Sequence, residues 1–233
     1  MLSHSGQQFD YAPLLKPIDV RSDLEREIAR GPTRRLQAKE HVFIAGDPRS
    51  SLYRLDSGAV CLYQILLSGR RRVTGFAFAG DIFGMGALSQ HALSAQTLRR
   101  TRLHSIPTTT LSRLAFNDPH FGMTLYEAAC RELAGTQQTL LTIKRPALER
   151  LAIFLLFSMQ RNRRNGEDPE TIVLPMTRAD IGDFLGLTIE TVSRMFTKLQ
   201  AEHIIEIKRR GPIHVLDIDK LRTLGAPEQT AGN

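Results

Sequence analysis

The segment that most constrains the fold reads TRADIGDFLGLTIETVSRMFTKLQ and runs from Thr177 to Gln200. Thr177 followed three residues later by Asp180 is typical of a helix N-terminus, because a hydroxyl and a carboxylate there can accept hydrogen bonds from free backbone N–H groups. Gly186 predicts the turn that ends this first helix, and Thr188 predicts the start of a second one. The segment therefore predicts two short helices that meet at a glycine.

The spacing of apolar residues in this segment predicts that the two helices cross in contact. Gly182 stands where a larger side chain would force the helices apart. The apolar positions of the crossing are Ile181, Leu185, Leu187, Val192 and Met195. Together they form a helix-turn-helix pattern, which favours DNA binding, although helix pairs that bind nothing share part of it.

A β-hairpin with a basic tip is predicted directly after the second helix. Ile205 and Ile207 alternate on one strand, and Ile213 and Val215 alternate on the other. The turn between them contains Lys208, Arg209 and Arg210. One interpretation of these cations is a solvated turn, but beside a recognition helix they are better placed to contact DNA phosphates. The C-terminal region is thus predicted to be a winged helix-turn-helix.

The first turns of the second helix carry the side chains that we expect to read bases, namely Glu190, Ser193 and Arg194. Glu190 can accept a hydrogen bond from cytosine N4, Arg194 can donate two to guanine N7 and O6, and Ser193 can do either. The alternative for Glu190 and Arg194 is a helix pair four residues apart, worth a few tenths of a kcal/mol. Both can hold, because a glutamate can orient an arginine that reads a base.

The region from Leu36 to Pro107 has a different texture, with short β-rich runs separated by glycine turns. The predicted strands include residues 41–44, 51–55, 59–65 and 72–78, and the turn signals are Gly46-Asp47, Ser57-Gly58, Ser68-Gly69 and Gly80-Asp81. This pattern predicts a small β-barrel or sandwich. Residues 19–29 predict a short helix ahead of it, which Gly31 and Pro32 end.

A long helix is predicted from about Asn117 to Pro146. Its apolar face repeats at alternating spacings of three and four residues, as in a coiled coil, through Tyr126, Ala129, Leu133, Thr136, Leu140 and Ile143. Such a face packs either on its own domain or on a second copy of the chain. We favour the homodimer, because the pattern lies between two compositionally different regions. A further helix over 147–160 and a polar loop over 161–170 follow.

Charge and composition narrow the class of protein. The chain has 31 lysines and arginines against 24 aspartates and glutamates, a net charge of +7 that favours polyanionic partners. The longest apolar run, residues 151–157, falls short of the roughly 20 residues of a membrane span, so we expect a cytoplasmic protein. Cys61 and Cys130 are each expected to be buried, without disulfide or metal. The sequence contains neither a phosphate-binding glycine loop nor a pair of histidines at zinc-ligand spacing, so we do not expect an enzyme.

Over about residues 36–221 the chain resembles the CRP/FNR superfamily of bacterial transcription regulators. The resemblance rests on Gly58, Gly69, the run from Gly80 to Gly84, the long helix and the winged motif. It implies an α+β fold in which a double-stranded β-helix, or β-roll, precedes a dimerisation helix and the DNA-binding domain. The expected boundaries are 1–35 for an arm and short helix, 36–116 for the β-roll, 117–145 for the dimer helix, 146–222 for the winged domain and 223–233 for a flexible tail.

The run from Glu190 to Arg194 resembles the recognition motif of the FNR branch, which implies TTGA-type half-sites in an inverted repeat. The family's cyclic-nucleotide contacts fall here on Met85 or Gly86 and on Ala95-Gln96, so we expect no cyclic AMP binding. Arg99 and Arg100 are the alternative phosphate ligands. Two cysteines cannot hold an iron–sulfur cluster. Haem bound through His91 is a further alternative, although we expect His91 at the surface.

The nearest group by resemblance is FixK-like, which implies an activator of microaerobic respiration, denitrification or nitrogen-fixation genes that needs no cofactor. A regulator of the same fold gated by a cyclic nucleotide or haem is the alternative. Helix starts and family position imply phosphate contacts at Thr177, Arg178, Thr188 and Thr191. Family position also implies RNA polymerase contacts at Arg70, Arg71, Arg72, Asn165, Gly166, Glu167 and Asp168. The alternative is that both of these segments are ordinary exposed turns.

Overall fold

The computed structural model describes residues 31–86, 88–117, 122, 123, 126, 129, 130, 133, 136, 137, 140, 142–164, 167–208 and 211–226. The helix predicted over 19–29 lies outside these residues. The chain divides into two compact units. The first contains residues 17–133 and 175–186, and the second contains residues 1–16, 134–174 and 187–233, of which the ranges above are described.

The first unit is built on two four-stranded antiparallel sheets, as the β-roll prediction requires. Its strands are β1 (Thr33–Leu36), β2 (His41–Phe43), β3 (Ser51–Ser57), β4 (Ala59–Ile65), β5 (Arg71–Phe78), β6 (Ile82–Phe83), β7 (Ser94–Thr97) and β8 (Thr101–Pro107). One sheet has the order β1-β8-β3-β6 and the other has the order β2-β7-β4-β5. Strand β1 begins ahead of the predicted boundary at residue 36, because Thr33 to Leu36 pair with β8.

The predicted glycine turns set the corners of this unit. Gly46, Gly58, Gly69 and Gly80 all have positive φ angles, which glycine adopts without the penalty that other residues carry. At Gly58 the need is also steric, since a Cβ atom there would collide with the Thr101 hydroxyl oxygen. The apolar faces of the strands enclose a core that includes Phe43, Leu55, Val60, Ala95 and Leu103.

A helix follows the last strand without a break. It comprises α1 (Thr108–Asn117), so helical structure begins nine residues earlier than the sequence predicts. Beyond it, the backbone is helical at each residue between 122 and 142 that the structure describes. The predicted helix is confirmed at these positions, whereas residues 143–145, which it was expected to include, are not helical.

The remaining elements form the C-terminal region. They are α2 (Ala147–Arg164), β9 (Thr171–Ile172), α3 (Arg178–Leu185), α4 (Ile189–Ala201), β10 (Ile205–Ile207), β11 (Ile213–Val215) and α5 (Ile218–Gly225). Helix α3 belongs to the first unit and the others to the second. The predicted hairpin is confirmed, with Ile205 opposite Val215 and Ile207 opposite Ile213. Strand β9 joins it as a third strand that the sequence did not predict.

Helix α2 is the centre of the second unit's core. Its buried side chains include Leu151 and Leu155, and it packs on both α4 and α5. The contact with α5 is so close that a Cβ atom on Gly225 would lie 2.7 Å from Leu156 Cδ1. None of the helices in the described ranges combines the length and the hydropathy that a membrane span requires.

Candidate nucleic-acid interface

The first helix of the motif, α3, begins with a complete capping box. Thr177 has an extended backbone (φ −77°, ψ 166°), and its hydroxyl accepts a hydrogen bond from the backbone N–H of Asp180. The Asp180 carboxylate accepts in return from the Thr177 backbone N–H at 2.9 Å and from the Thr177 hydroxyl at 2.7 Å. The helix ends at Gly186, whose left-handed backbone lets its N–H reach the carbonyl oxygen of Gly182.

Asp180 also anchors Arg71, within the same unit. Arg71 Nη1 lies 2.6 Å from Asp180 Oδ1, Nη2 donates to Cys61 Sγ at 3.0 Å, and the guanidinium stacks over the Tyr63 ring. Burial raises the pKa of Asp180, but hydrogen bonds from Thr177 and Arg71 outweigh it, so the net pKa lies below its ordinary value. The sequence analysis left open that Arg70, Arg71 and Arg72 are an ordinary exposed turn. These contacts show that the Arg71 side chain is instead held in place by its neighbours.

Cys61 is buried on β4, as the sequence predicts. Burial raises the pKa of its thiol to about 12, so the sulfur that faces Arg71 is protonated at neutral pH. The interaction of Arg71 with Cys61 is therefore that of a cationic donor and a neutral sulfur.

The second helix, α4, presents the predicted base-reading residues on one exposed face. Glu190, Ser193 and Arg194 are exposed, whereas Val192, Phe196 and Leu199 on the opposite face are buried. This division follows from the helical period, which places residues three and four apart on the same side. The helix therefore keeps its core contacts while its outer face stays available for the major groove.

Hydroxyl groups connect the residues at the start of α4. Thr188 caps the helix, and its Oγ1 accepts from the Thr191 backbone N–H at 3.2 Å. The two threonine hydroxyl oxygens lie 3.1 Å apart, and Arg194 Nη2 donates to Thr191 Oγ1 at 3.2 Å. The backbone N–H of Glu190 itself, followed by the Thr188 side chain, lowers the pKa of Glu190. The sequence did not predict this connection, because it reveals spacing but not rotamers.

The other predicted phosphate contacts are partly described. Arg178 is half-buried at the start of α3, and burial lowers its pKa to about 10, which leaves it charged at neutral pH. Lys208 is exposed at the hairpin tip, with its Nζ 3.3 Å from a Glu206 carboxylate oxygen. Arg209 and Arg210 lie outside the described residues.

The predicted dimer face is exposed in the single chain. The exposed fractions of Tyr126, Leu133 and Leu140 are 64%, 59% and 64%, values expected of side chains that a partner covers. Ala129 and Thr136 are also exposed, and Ile143 is half-buried.

The same helix shows one wrong prediction and one residue that the sequence analysis missed. Cys130, expected to be buried, is exposed, because the spacing that suggested a core position places it next to this uncovered face. Met123 lies one turn before Tyr126 and is likewise exposed. The sequence analysis missed it, although an apolar residue three positions before Tyr126 was a usable signal.

The predicted polymerase contacts differ in how freely they are presented. Arg70 and Glu167 are exposed, and Arg72 is half-buried. Asp168 is exposed but shapes its turn, since its carboxylate accepts from the Thr171 hydroxyl and the Glu170 backbone N–H. Asn165 and Gly166 lie outside the described residues.

The β-roll positions that correspond to nucleotide contacts carry no phosphate-binding side chain. Ala95 is fully buried in β7, and Gln96 Nε2 donates to the Lys39 carbonyl oxygen at 3.1 Å. Arg99 and Arg100 are exposed in the connection between β7 and β8. In the ranges described, no three histidine, cysteine, aspartate or glutamate side chains come together as a metal-binding group.

The prediction that His91 lies at the surface is wrong. His91 is only 5% exposed, because its imidazole stacks on the Phe43 ring with the ring centroids 3.7 Å apart. Its Nε2 atom is buried and has no hydrogen-bond partner among the residues that the structure describes. Burial, with a smaller contribution from Arg49, lowers the pKa of His91 and keeps the ring neutral near neutral pH.

Comparison with known families assigns a domain family to both the N-terminal and the C-terminal region. Residues 33–118 match the cyclic nucleotide-binding domain family, and residues 149–224 match the Crp-like helix-turn-helix domain family. The second match includes α4 and the hairpin, and thus the face on which Glu190, Ser193 and Arg194 lie.

Individual proteins agree with this assignment. The chain is 39% identical over 189 residues to the transcriptional activatory protein AadR of Rhodopseudomonas palustris, covering 81% of this chain and 79% of AadR. It is 36% identical over 188 residues to the nitrogen fixation regulation protein FixK of Bradyrhizobium diazoefficiens, covering 80% and 79%. The structure of FixK2 from Bradyrhizobium japonicum superposes with a TM-score of 0.79 at 30% identity, covering 84% of this chain and 98% of FixK2.

The members of this family are transcription regulators with a helix-turn-helix DNA-binding domain, not enzymes. The β-roll, the capped helix pair, the hairpin and these relatives point the same way. The chain belongs to the CRP/FNR family of DNA-binding transcription regulators and resembles its FixK-like members.

Proposed function

We propose that this protein is a transcription activator that binds a TTGA-type inverted repeat as a homodimer. The observation that carries the proposal is the exposed face of α4, where Glu190, Ser193 and Arg194 stand together above a buried apolar face. Glutamate and arginine match the two ends of a G·C pair in the major groove, because one accepts from cytosine N4 and the other donates to guanine N7 and O6. A TTGA half-site contains one such pair.

The proposed complex also contains phosphate contacts. Thr177, Arg178 and Thr188 lie at helix starts, where backbone N–H groups and the helix dipole favour an anion. Lys208, Arg209 and Arg210 at the hairpin tip supply charge without sequence preference. Thr191, which family position groups with these residues, has a different environment that is treated below.

The homodimer rests on the exposed helical face of Tyr126, Ala129, Leu133, Thr136 and Leu140, together with the half-buried Ile143 just beyond it. Pairing two copies through this face removes large apolar side chains from water, which is the main driving force for association. A two-fold dimer presents two recognition helices to successive major grooves, roughly 34 Å apart along the DNA. An inverted repeat matches that symmetry.

Regulation in this proposal needs neither cyclic AMP nor an iron–sulfur cluster. Ala95 and Gln96 provide no charge partner for a buried phosphate, and one buried and one exposed cysteine do not make a cluster site. The name of AadR supports an activator, and that of FixK supports a role in nitrogen fixation. Microaerobic or anaerobic respiration and denitrification are target processes that the resemblance to FixK-like proteins implies. Control then operates mainly through the amount of protein.

Activation also needs a surface that contacts RNA polymerase. The candidates for this role include three exposed residues, Arg70, Glu167 and Asp168, and the half-buried Arg72. The predicted Asn165 and Gly166 complete the set. Arg71 is the weakest candidate, because its guanidinium is already held by Asp180 and Cys61.

The test is DNA binding by purified protein without added ligand. A labelled duplex with a TTGA inverted repeat is titrated at fixed salt, against a scrambled duplex and with cyclic AMP in a parallel series. We expect a strong preference for the repeat in both series. Binding only with cyclic AMP would contradict effector independence, and equal binding to both duplexes would contradict sequence-specific recognition.

A further inference from the structure

The hydroxyl groups at the start of α4 form a chain with a defined direction. Thr191 Oγ1 accepts from Arg194 Nη2, so the single hydrogen of the Thr191 hydroxyl is free to point at Thr188 Oγ1, 3.1 Å away. The Glu190 backbone N–H, followed by the Thr188 side chain, lowers the pKa of Glu190 and so favours the charged carboxylate next to Thr188. The donors therefore run from Arg194 through Thr191 and Thr188 to Glu190.

Both hydrogen-bonding hydrogens of Thr191 are used when its hydroxyl is the donor to Thr188. The backbone N–H donates to Thr188 Oγ1, and the hydroxyl can donate to the same oxygen, 3.1 Å away. A phosphate oxygen is an acceptor only, so a threonine contacts it by donating a hydrogen. In this arrangement Thr191 has no hydrogen left for phosphate and offers its oxygen lone pair to Arg194 instead.

The two ends of the chain are the groups that address one G·C pair. Arginine reads guanine with two parallel N–H groups, and this contact depends on the orientation of the planar guanidinium. Arg194 is exposed and its long side chain has many rotamers in water, so each contact that restricts it lowers the entropy lost when DNA binds. Among the described residues, Thr191 is the one whose side chain accepts a hydrogen bond from Arg194.

We propose that Thr191 is a positioning residue that holds the Arg194 guanidinium ready for guanine and thereby sets discrimination at the G·C pair of each half-site. Thr188 extends the same connection toward Glu190. The inference rests on the proposed function, since it assumes that Arg194 reads a base. Its specific content is that Thr191 acts on sequence preference and not on phosphate affinity.

The experiment compares Thr191→Val with Thr191→Ser. Valine keeps the branched shape and the backbone N–H that bonds Thr188, and it removes only the hydroxyl; serine keeps the hydroxyl. Thr197→Val is the matched control, because Thr197 lies on the same helix but is not part of the connection between Arg194 and Thr188. Its hydroxyl donates to the Ser193 carbonyl oxygen. Each variant is titrated with the TTGA repeat, with a repeat whose G·C pairs are replaced by A·T, and with a scrambled duplex.

For Thr191→Val we expect the affinity ratio between the first two duplexes to fall by about fivefold per half-site, the low end of what one bidentate arginine–guanine contact contributes. Binding to the scrambled duplex and its salt dependence should not change. Thr191→Ser and Thr197→Val should keep the wild-type ratio. In an Arg194→Ala background, Thr191→Val should have no further effect on the ratio, since the group that it positions is gone.

Two outcomes would overturn the inference. A uniform loss of affinity for all three duplexes, with a shallower salt dependence, assigns Thr191 to phosphate. An unchanged ratio in Thr191→Val removes its role altogether. Failure of the proposed function is separately visible, because wild-type protein would then show no preference for the TTGA repeat at all. Circular dichroism and thermal unfolding of each variant separate these results from loss of folding.

Discussion

The two helices of the DNA-binding motif begin in the same way but use their N-termini differently. Thr177 and Thr188 are both caps, with nearly the same backbone angles, and in both helices the residue three positions later accepts a hydrogen bond from an arginine. In α3 that residue is Asp180, a carboxylate whose side chain is 9% exposed, and Arg71 lies 2.6 Å from it. In α4 it is Thr191, a neutral hydroxyl, and Arg194 lies 3.2 Å away in the open.

The difference shows how the same local design yields a structural site or a binding site. A charge-assisted, buried hydrogen bond is short and strong, so Arg71 is fixed within its unit. A hydrogen bond from an exposed arginine to a hydroxyl competes with water and is weak. Arg194 can therefore turn its other N–H groups to guanine at little cost, whereas Arg71 cannot leave Asp180 without stranding a carboxylate.

The largest effect is expected from breaking the α3 site. Asp180→Ala removes the capping carboxylate and leaves Arg71 without its ion pair, which we expect to lower the free energy of unfolding by about 2–4 kcal/mol. The measurement is urea unfolding at fixed protein concentration. Asp219→Ala is the control, because Asp219 forms an exposed pair with Arg222 on α5, and such pairs contribute about 1 kcal/mol or less. Equal losses in the two variants would show that burial does not distinguish them.

The next effect concerns DNA and the α4 site. Arg194→Ala should weaken binding to the TTGA repeat by about 1–3 kcal/mol and relax preference at one base pair, with stability unchanged. Lys208→Ala, at the exposed hairpin tip, should weaken all duplexes alike and reduce the salt dependence. The titrations use one salt series for both variants. Retained specificity in Arg194→Ala would mean that another residue reads the guanine.

A smaller effect separates the two caps directly. Thr177→Ala and Thr188→Ala each remove a hydroxyl that accepts a backbone N–H, and each should cost about 1 kcal/mol of stability. Thr177→Ala should leave discrimination at the G·C pair unchanged, because the Thr177 hydroxyl donates to Asp180 and contacts no base-reading residue of α4. Thr188→Ala should in addition reduce discrimination at the G·C pair. The same change in discrimination for both variants would erase the contrast between the helices.

The smallest effect is on acid stability, because burial and hydrogen bonding act in opposite directions on the pKa of Asp180. Its net pKa in the folded protein lies below the ordinary aspartate value, so the unfolded chain binds the proton more readily. The stability that the Asp180 charge contributes is therefore complete above the ordinary pKa and is lost as the pH falls through the folded value. Asp180→Asn should show a weaker decline in unfolding free energy below about pH 4 than the wild type. An identical decline would assign the acid dependence to other carboxylates.

Local signals in the sequence were sufficient for much of the structure. The positive-φ glycines, the Thr177 cap, the turn at Gly186 and the alternating isoleucines of the hairpin each act over a few residues, so spacing alone predicts them. The exposed face of α4 follows from helical period in the same way. These are also the features that place Glu190, Ser193 and Arg194.

Features that depend on distant parts of the chain were not predictable. Arg71 and Asp180 are 109 positions apart in the sequence, and nothing near either residue indicates the other. His91 is buried because Phe43 stacks on it, and β9 exists because β11 offers it an edge. Cys130 shows the reverse error, since an apolar helical position was taken for a core position when the chain itself does not cover it.

The uncovered helical face has a consequence for how the protein responds in a cell. If two copies must meet before both half-sites are contacted, the fraction of occupied operators rises with the square of monomer concentration while monomers predominate. Tyr126, Leu133 and Leu140 then make the dose–response curve steep. A modest increase in synthesis therefore changes operator occupancy more than it would for a protein that binds DNA as a single copy.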